Sequence, residues 1–138
     1  MQTIVNAVLM SGKNVLLARR SPHRKAYPDC WSFPGGHLQG SETLEEALIR
    51  EITEEIGAIP LKYCLIAEII SDRSASTDPA TFHIYAVEEW EGNPTIRDKE
   101  HTELRWFSLY EAELLTDLAL DEYRPLFASL RTRATQVS

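Results

Sequence analysis

The sequence predicts a mixed α/β sandwich, and three observations lead there. Short runs of aliphatic and aromatic residues flank a central segment with strong helix-terminal signals, and a second helical segment lies near the C-terminus. The length of 138 residues suits one domain, since compact domains hold about 100 to 150 residues. Hydrophobic residues make up 43% and charged residues 25%, an ordinary globular balance that allows a sizeable core and argues against global disorder. No repeat, low-complexity block or linker marks a second unit, so residues 1–138 are read as a single domain.

Thr3 to Met10 and Asn14 to Ala18 are apolar runs separated by Ser11-Gly12-Lys13, which suits a strand, a tight turn and a second strand. Residues 21 to 36 hold three prolines and two glycines and read as an ordered loop with a short extended piece around Trp31 to Phe33. Loops of this length are often functional. Thr43 followed three residues later by Glu46 makes a capping box, and Gly57 stands where a left-handed cap would end a helix, so a helix is expected from about 44 to 56. Within it Leu44, Leu48, Ile52 and Ile56 recur every fourth residue with Ala47 beside them, giving one stripe to bury.

Tyr63 to Ile70 and Thr81 to Val87 carry strand composition and flank Ser71 to Ala80, a polar loop containing Pro79. Glu91-Gly92-Asn93-Pro94 marks a turn, Glu103 to Phe107 a short strand, and Tyr110 to Leu115 a helical turn or two. A last helix is expected over Tyr123 to Arg131, followed by a frayed polar tail from Thr132 to Ser138.

Charge narrows the choice of partners. With 14 Lys+Arg against 21 Asp+Glu, the net charge of −7 opposes the broad phosphate neutralisation that binding to long nucleic acid requires. No apolar run approaches the 18 or so residues that span a bilayer, and Met1-Gln2-Thr3 lacks the basic start of a signal peptide, so a cytoplasmic protein without membrane contact is expected. Cys30 and Cys64 have no metal-type spacing and are read as free thiols.

The central helix contains Arg50-Glu51-Ile52-Thr53-Glu54-Glu55. At about 100° per residue, the side chains of Glu51, Glu54 and Glu55 share an arc of about 100°. Like charges at these spacings repel by a few tenths of a kcal/mol per pair, so the face weakens the helix unless something cationic lies against it. A hard divalent ion would do so while keeping coordination positions open for phosphate oxygens. A merely solvated acidic face is the other reading.

The wider pattern favours the metal: Gly36, five residues, Glu42, seven residues, then Arg50-Glu51-Ile52-x-Glu54-Glu55-x-Gly57-Ala58. This resembles the Nudix box, here spanning residues 36–58, and in particular the MutT-like branch of the Nudix hydrolases. The departure is Ala58, where the family usually carries a larger aliphatic residue, a matter of packing. The resemblance implies an α/β/α sandwich with a mixed β-sheet. It further implies that Glu54 and Glu55 bind Mg²⁺, with Mn²⁺ a possible substitute, that Glu51 is a ligand or base, and that the Gly36 carbonyl completes the site. Arg50 would orient the glutamates, and Glu42 would fix the loop–helix junction by a salt bridge or add an outer carboxylate.

Outside the box, Arg19-Arg20 resembles the paired arginines of the MutT-like branch, with Arg20 the residue expected to contact substrate phosphate. Trp31-Ser32-Phe33-Pro34-Gly35-Gly36 resembles its base-pocket segment, which makes Phe33 a base-binding candidate, although Phe33 suits the core as well. In several Nudix enzymes a glutamate in this loop is a further ligand or the general base, and Glu100, six residues before Trp106 as in MutT-like enzymes, is by that resemblance preferred to Glu103. Leu120 to Leu126 resembles, loosely, the segment whose acidic or amide side chain reads an oxidised purine, which singles out Asp121. His23, His37, His83 and His101 show no ligand spacing and are read as incidental.

The function expected from this resemblance is Mg²⁺-dependent hydrolysis of a nucleoside triphosphate, an oxidised purine form included, to monophosphate and pyrophosphate, by a monomer or homodimer acting on a small nucleotide. An ADP-ribose or nucleotide-sugar pyrophosphatase is the alternative. Such enzymes often carry a proline about sixteen residues beyond the box, where this chain has Ser74, with Pro79 the nearest proline. A non-catalytic nucleotide-sensing module is the alternative of another class, disfavoured by the intact glutamate cluster.

Overall fold

The computed structural model describes residues 2–25, 27–71 and 79–136. Its organising strand is β1 (Gln2–Ser11), which makes three ladders. It runs parallel to β6 (Ala80–Glu91) from Gln2↔Ala80 to Leu9↔Val87, and antiparallel to β4 (Gly35–His37) from Ile4↔His37 to Asn6↔Gly35. At its far end it meets β2 (Asn14–Arg20) in a hairpin that closes only Met10↔Val15 and Ser11↔Asn14. β5 (Ile59–Ser71) lies antiparallel on the outer side of β6. A parallel pair among antiparallel neighbours makes the sheet mixed, as expected.

Beyond the hairpin, β2 turns away from β1 and pairs with β3 (Trp31–Ser32) on one side and β7 (His101–Ser108) on the other. The expected hairpin is therefore a corner between two sets of strands. The ladder of β1 is already taken up by β4 and β6, so β2 has to find other partners.

Helix α1 (Leu44–Ile56) covers one face and α2 (Leu109–Leu114) with α3 (Tyr123–Gln136) the other, completing the α/β/α arrangement. Side chains of β1 alternate between the two interiors. Val5, Ala7 and Leu9 pack with Ala47, Leu48, Ile52 and Ile56 of α1, while Val8 joins Phe33, Phe107, Tyr123 and Phe127 on the opposite side. The α1 termini follow the local signals. Thr43 Oγ1 accepts from the Glu46 amide at 3.1 Å, Glu46 Oε1 accepts from the Thr43 amide at 2.9 Å, and Gly57 at φ 70° donates to the Thr53 carbonyl at 3.0 Å.

Several boundaries differ from the sequence expectation. β4 is a strand where a loop was expected, because two glycines that carry no strand composition let this segment lie against β1. β5 starts at Ile59 rather than Tyr63, extending its ladder to Ile59↔Glu91 through solvated residues and register shifts around Lys62 that blur any alternation. α3 runs to Gln136, past the expected end at Arg131 and through much of the supposed tail. Most of the expected Ser71–Ala80 loop, including Ser74, lies outside the described residues, as do Val137 and Ser138.

Ile52 is fully buried between α1 and the sheet. Ile52→Ala is expected to lower unfolding free energy by about 2–5 kcal/mol in a urea titration, the cost of a core truncation that leaves a cavity.

Candidate active site

The acidic face of α1 is organised by one guanidinium. Arg50 donates to both oxygens of Glu42, from Nε at 2.6 Å and Nη2 at 2.9 Å, and from Nη1 to Glu51 Oε1 at 2.8 Å, with Glu54 Oε2 at 3.4 Å. Nη2 also reaches the His37 carbonyl at 3.1 Å, tying the end of β4 to α1. The Glu42 hydrogen bonds are the main cause holding Arg50 above its ordinary pKa, and the same contact draws the Glu42 carboxyl below the usual range. A Cβ on Gly36 would overlap the Glu51 carboxylate, so a larger residue there would displace that side chain.

Glu55 is the unusual member. It lies one turn from Glu51 on the same face, yet it is 5% exposed, and neither of its oxygens has a hydrogen-bond partner among the described residues. Its carboxyl is pushed up to about 9. Burial is the largest cause, and the charges of Glu51, Asp98 and Glu100 add to it; the nearby Gly35 amide opposes the shift without closing a regular hydrogen bond.

The chain after β6 returns to this spot. The amides of Thr95 and Arg97 donate to the Ile56 and Glu55 carbonyls at 2.9 and 2.8 Å, and the Ser21 amide donates to the Glu100 carbonyl at 2.8 Å. These bonds bring Asp98 and His101 to Glu55. His101 Nδ1 is 3.0 Å from Asp98 Oδ2 and 3.5 Å from Glu55 Oε1. Burial holds the imidazole below its ordinary pKa against the pull of Asp98, whose carboxylate lies within hydrogen-bond distance of Nδ1. Glu100 is more exposed, and its Oε2 pairs with Arg24 Nη1 at 2.9 Å.

Sequence reasoning missed Asp98 and treated His101 as incidental. Glu55, Asp98 and His101 offer ligand atoms within 4.8 Å of one another. The available signal was the Asp-x-x-His spacing ahead of Trp106, which is too common to stand alone. A divalent cation fits this region on two grounds: desolvated Glu55 carboxylate oxygens with no hydrogen-bond partner among the described residues, and the carboxylate and imidazole donors that Asp98 and His101 bring beside them.

Beside the acidic cluster a pocket is lined by Asn6, Arg20, Arg24, Phe33, Phe82 and Tyr123, among others, with Gly35, Gly36 and His101 on the shared wall. The structure separates the two arginines. Arg19 pairs with Asp29 at 2.9 Å, whereas Arg20 lines the pocket. Burial and the neighbouring Arg24 lower the Arg20 pKa, against the opposing influence of Tyr123, Glu100 and Glu55. Phe33 is buried in the core, its ring tilted at 51° against Tyr123 with centroids 4.4 Å apart, and it also lines the pocket. Asp121 is largely exposed at the start of α3, 3.8 Å from Arg124; its neighbours Leu120 and Tyr123 line the pocket. Glu103 pairs with Arg105 at 2.6 Å.

A family model described as the NUDIX domain matches residues 1–130. The chain is 28% identical over 109 residues to the CTP pyrophosphohydrolase of Escherichia coli, covering 79% of this chain and 77% of that protein. It is 35% identical over 82 residues to the 8-oxo-dGTP diphosphatase of Proteus vulgaris, covering 59% and 70%. Among solved structures, the MutT NUDIX hydrolase from Burkholderia pseudomallei superposes with a TM-score of 0.81 at 25% identity, covering 92% of this chain and 95% of that one.

The Glu55 geometry sets a pH dependence. Its native pKa lies above its unfolded value, so its contribution to stability is complete below the ordinary carboxyl range and is lost as pH rises toward about 9. Chelator-treated protein is expected to lose Tm across that window, Glu55→Gln to flatten the loss, and Mg²⁺ to restore Tm at the alkaline end in the wild type more than in the variant. Identical wild-type and variant profiles by differential scanning calorimetry would contradict the burial cost.

Proposed function

The chain belongs to the NUDIX domain family, and from that premise we propose that it hydrolyses the diphosphate linkage of a nucleoside triphosphate to monophosphate and pyrophosphate. The observation that carries the reading is a single juxtaposition. An acidic cluster fit for a divalent cation shares the wall formed by Gly35 and Gly36 with a pocket that holds two arginines and several aromatic rings. Metal, phosphate and base each find a suitable surface in that order. The names of the two relatives, a CTP pyrophosphohydrolase and an 8-oxo-dGTP diphosphatase, support a nucleoside triphosphate, oxidised purine forms included, without choosing the base.

Glu51, Glu54 and Glu55, the Gly36 carbonyl and Glu100 would hold Mg²⁺, or Mn²⁺ in its place. When bound, such an ion would supply charge neutralisation at the phosphate oxygens and lower the pKa of a nearby water. Arg50 keeps Glu51 and Glu54 oriented while its own charge offsets their repulsion. Arg20 binds phosphate oxygens by charge-assisted hydrogen bonds. Phe33 stacks on the base, and Glu51 or Glu100 takes the proton of the attacking water. Asp121 remains a candidate contact to the base edge.

Glu54 is mostly exposed and no part of the core, so Glu54→Gln is expected to fold normally and to lose turnover by orders of magnitude in an assay for released pyrophosphate with Mg²⁺. Near-normal hydrolysis would remove the glutamate cluster from the mechanism. Arg20→Ala is expected to weaken binding of a triphosphate more than that of its monophosphate by titration calorimetry, because the lost contacts are to phosphate. Equal losses for the two would assign Arg20 to the base instead.

A further inference from the structure

We propose that Asn6 makes the pocket select nucleobases that carry an exocyclic amino group over their carbonyl counterparts, cytosine over uracil and adenine over hypoxanthine, an inference that rests on the nucleotide-hydrolysing reading above. Asn6 occupies the middle of β1, opposite Gly35 on one side and Ile84 on the other. Its strand neighbours Val5, Ala7, Val8 and Leu9 are buried and apolar, and Asn6 itself is 5% exposed. An amide at such a position is costly unless its polar atoms are satisfied.

Half of it is. Nδ2 donates to the Phe33 carbonyl at 3.1 Å and reaches the Pro34 carbonyl at 3.5 Å. Both partners can only accept, so turning the amide over would set Oδ1 against two carbonyl oxygens; the orientation is determined by its surroundings. Oδ1 is thereby left buried and without a hydrogen-bond partner among the described residues. Tethering the Phe33–Pro34 segment to β1 needs only the donor and leaves the acceptor unexplained.

The residue lines the pocket together with Phe33, Phe82, Leu120 and Tyr123. Ser32 Oγ and Tyr27 OH, also on lining residues, likewise lack hydrogen-bond partners among the described residues. Apolar walls with a few convergent polar atoms are the usual make-up of a small-molecule site. The three differ in what they can tell apart. A hydroxyl turns to donate or accept and so tolerates either edge, whereas Oδ1 carries no proton and accepts only. Replacing an exocyclic amino group by a carbonyl turns a donor into an acceptor and sets two lone pairs against each other in a water-poor site, where an unmet polar group is most costly. Sites built on such a hydrogen bond reject the analogue lacking it more sharply than apolar pockets reject a change of size.

The test compares kcat/KM for CTP against UTP and for ATP against ITP, pairs in which a carbonyl replaces the amino group and an N–H replaces the bare ring nitrogen beside it, in wild type and in Asn6→Leu, which keeps the shape of the side chain and removes both polar ends. Calorimetric binding of CMP against UMP to the metal-free wild type accompanies it and depends on neither hydrolysis nor folding of the variant. The wild type is expected to favour the amino-bearing member of each pair by at least about tenfold, with the ratio falling toward unity in Asn6→Leu. Equal rates and equal binding in the wild type would overturn the proposal, as would a preference unchanged in Asn6→Leu. Absence of hydrolysis with every nucleotide, alongside tighter binding of CMP than UMP, would overturn the proposed reaction and support the role of Asn6.

Discussion

The structure around the acidic site depends on one guanidinium. Without Arg50, three carboxylates on one face of α1 and a fourth at its entrance would repel one another at close range; with it, Glu42, Glu51, Glu54 and the His37 carbonyl converge on a single set of donors. A fork of fixed N–H directions suits this task, since it binds one carboxylate through two bonds and still has donors left over. The same residue joins β4 to α1 through the His37 carbonyl.

β4 gives the site its shape. Its two glycines bring a backbone within reach of β1 on one side and of Glu51 on the other, and a Cβ at Gly35 would strike the Val5 carbonyl. With no side chains in the way, a thin wall of main chain separates the acidic cluster from the aromatic pocket. The two faces of β1 serve the same division, one sending Val5, Ala7 and Leu9 to anchor α1, the other presenting Ile4, Asn6 and Val8 toward the pocket side.

This arrangement is held at some cost in stability. Glu55 sits desolvated with no hydrogen-bond partner among the described residues, and Asn6 Oδ1, Ser32 Oγ and Tyr27 OH are in the same position nearby. Such groups persist only where the surrounding structure is firm enough to hold them, and here they lie between two well-packed clusters. Asn6, Ser32 and Tyr27 line one pocket, while His83 Nδ1 on β6, likewise without a hydrogen-bond partner among the described residues, lies outside that lining.

What the sequence determined by itself was whatever depends on near neighbours in the chain. The capping box at Thr43 and Glu46, the Gly57 cap and the Leu48–Ile52–Ile56 stripe place α1 to the residue, because hydrogen bonds and helical periodicity act over three or four positions. The Glu51–Glu54–Glu55 face follows from the same geometry, and the mixed sandwich from the order of the segments. Tertiary structure alone decided that Glu55 is buried while Glu54 is exposed, that Asp98 and His101 come back to meet it, and that Arg20 turns into the pocket while Arg19 pairs with Asp29. It also made β4 a strand, since the partner that completes its ladder lies some thirty residues earlier, at Ile4 to Asn6. Burial and charge environment are set by groups distant in the chain, and no local pattern of residue types encodes which of two adjacent glutamates or arginines the packing will enclose.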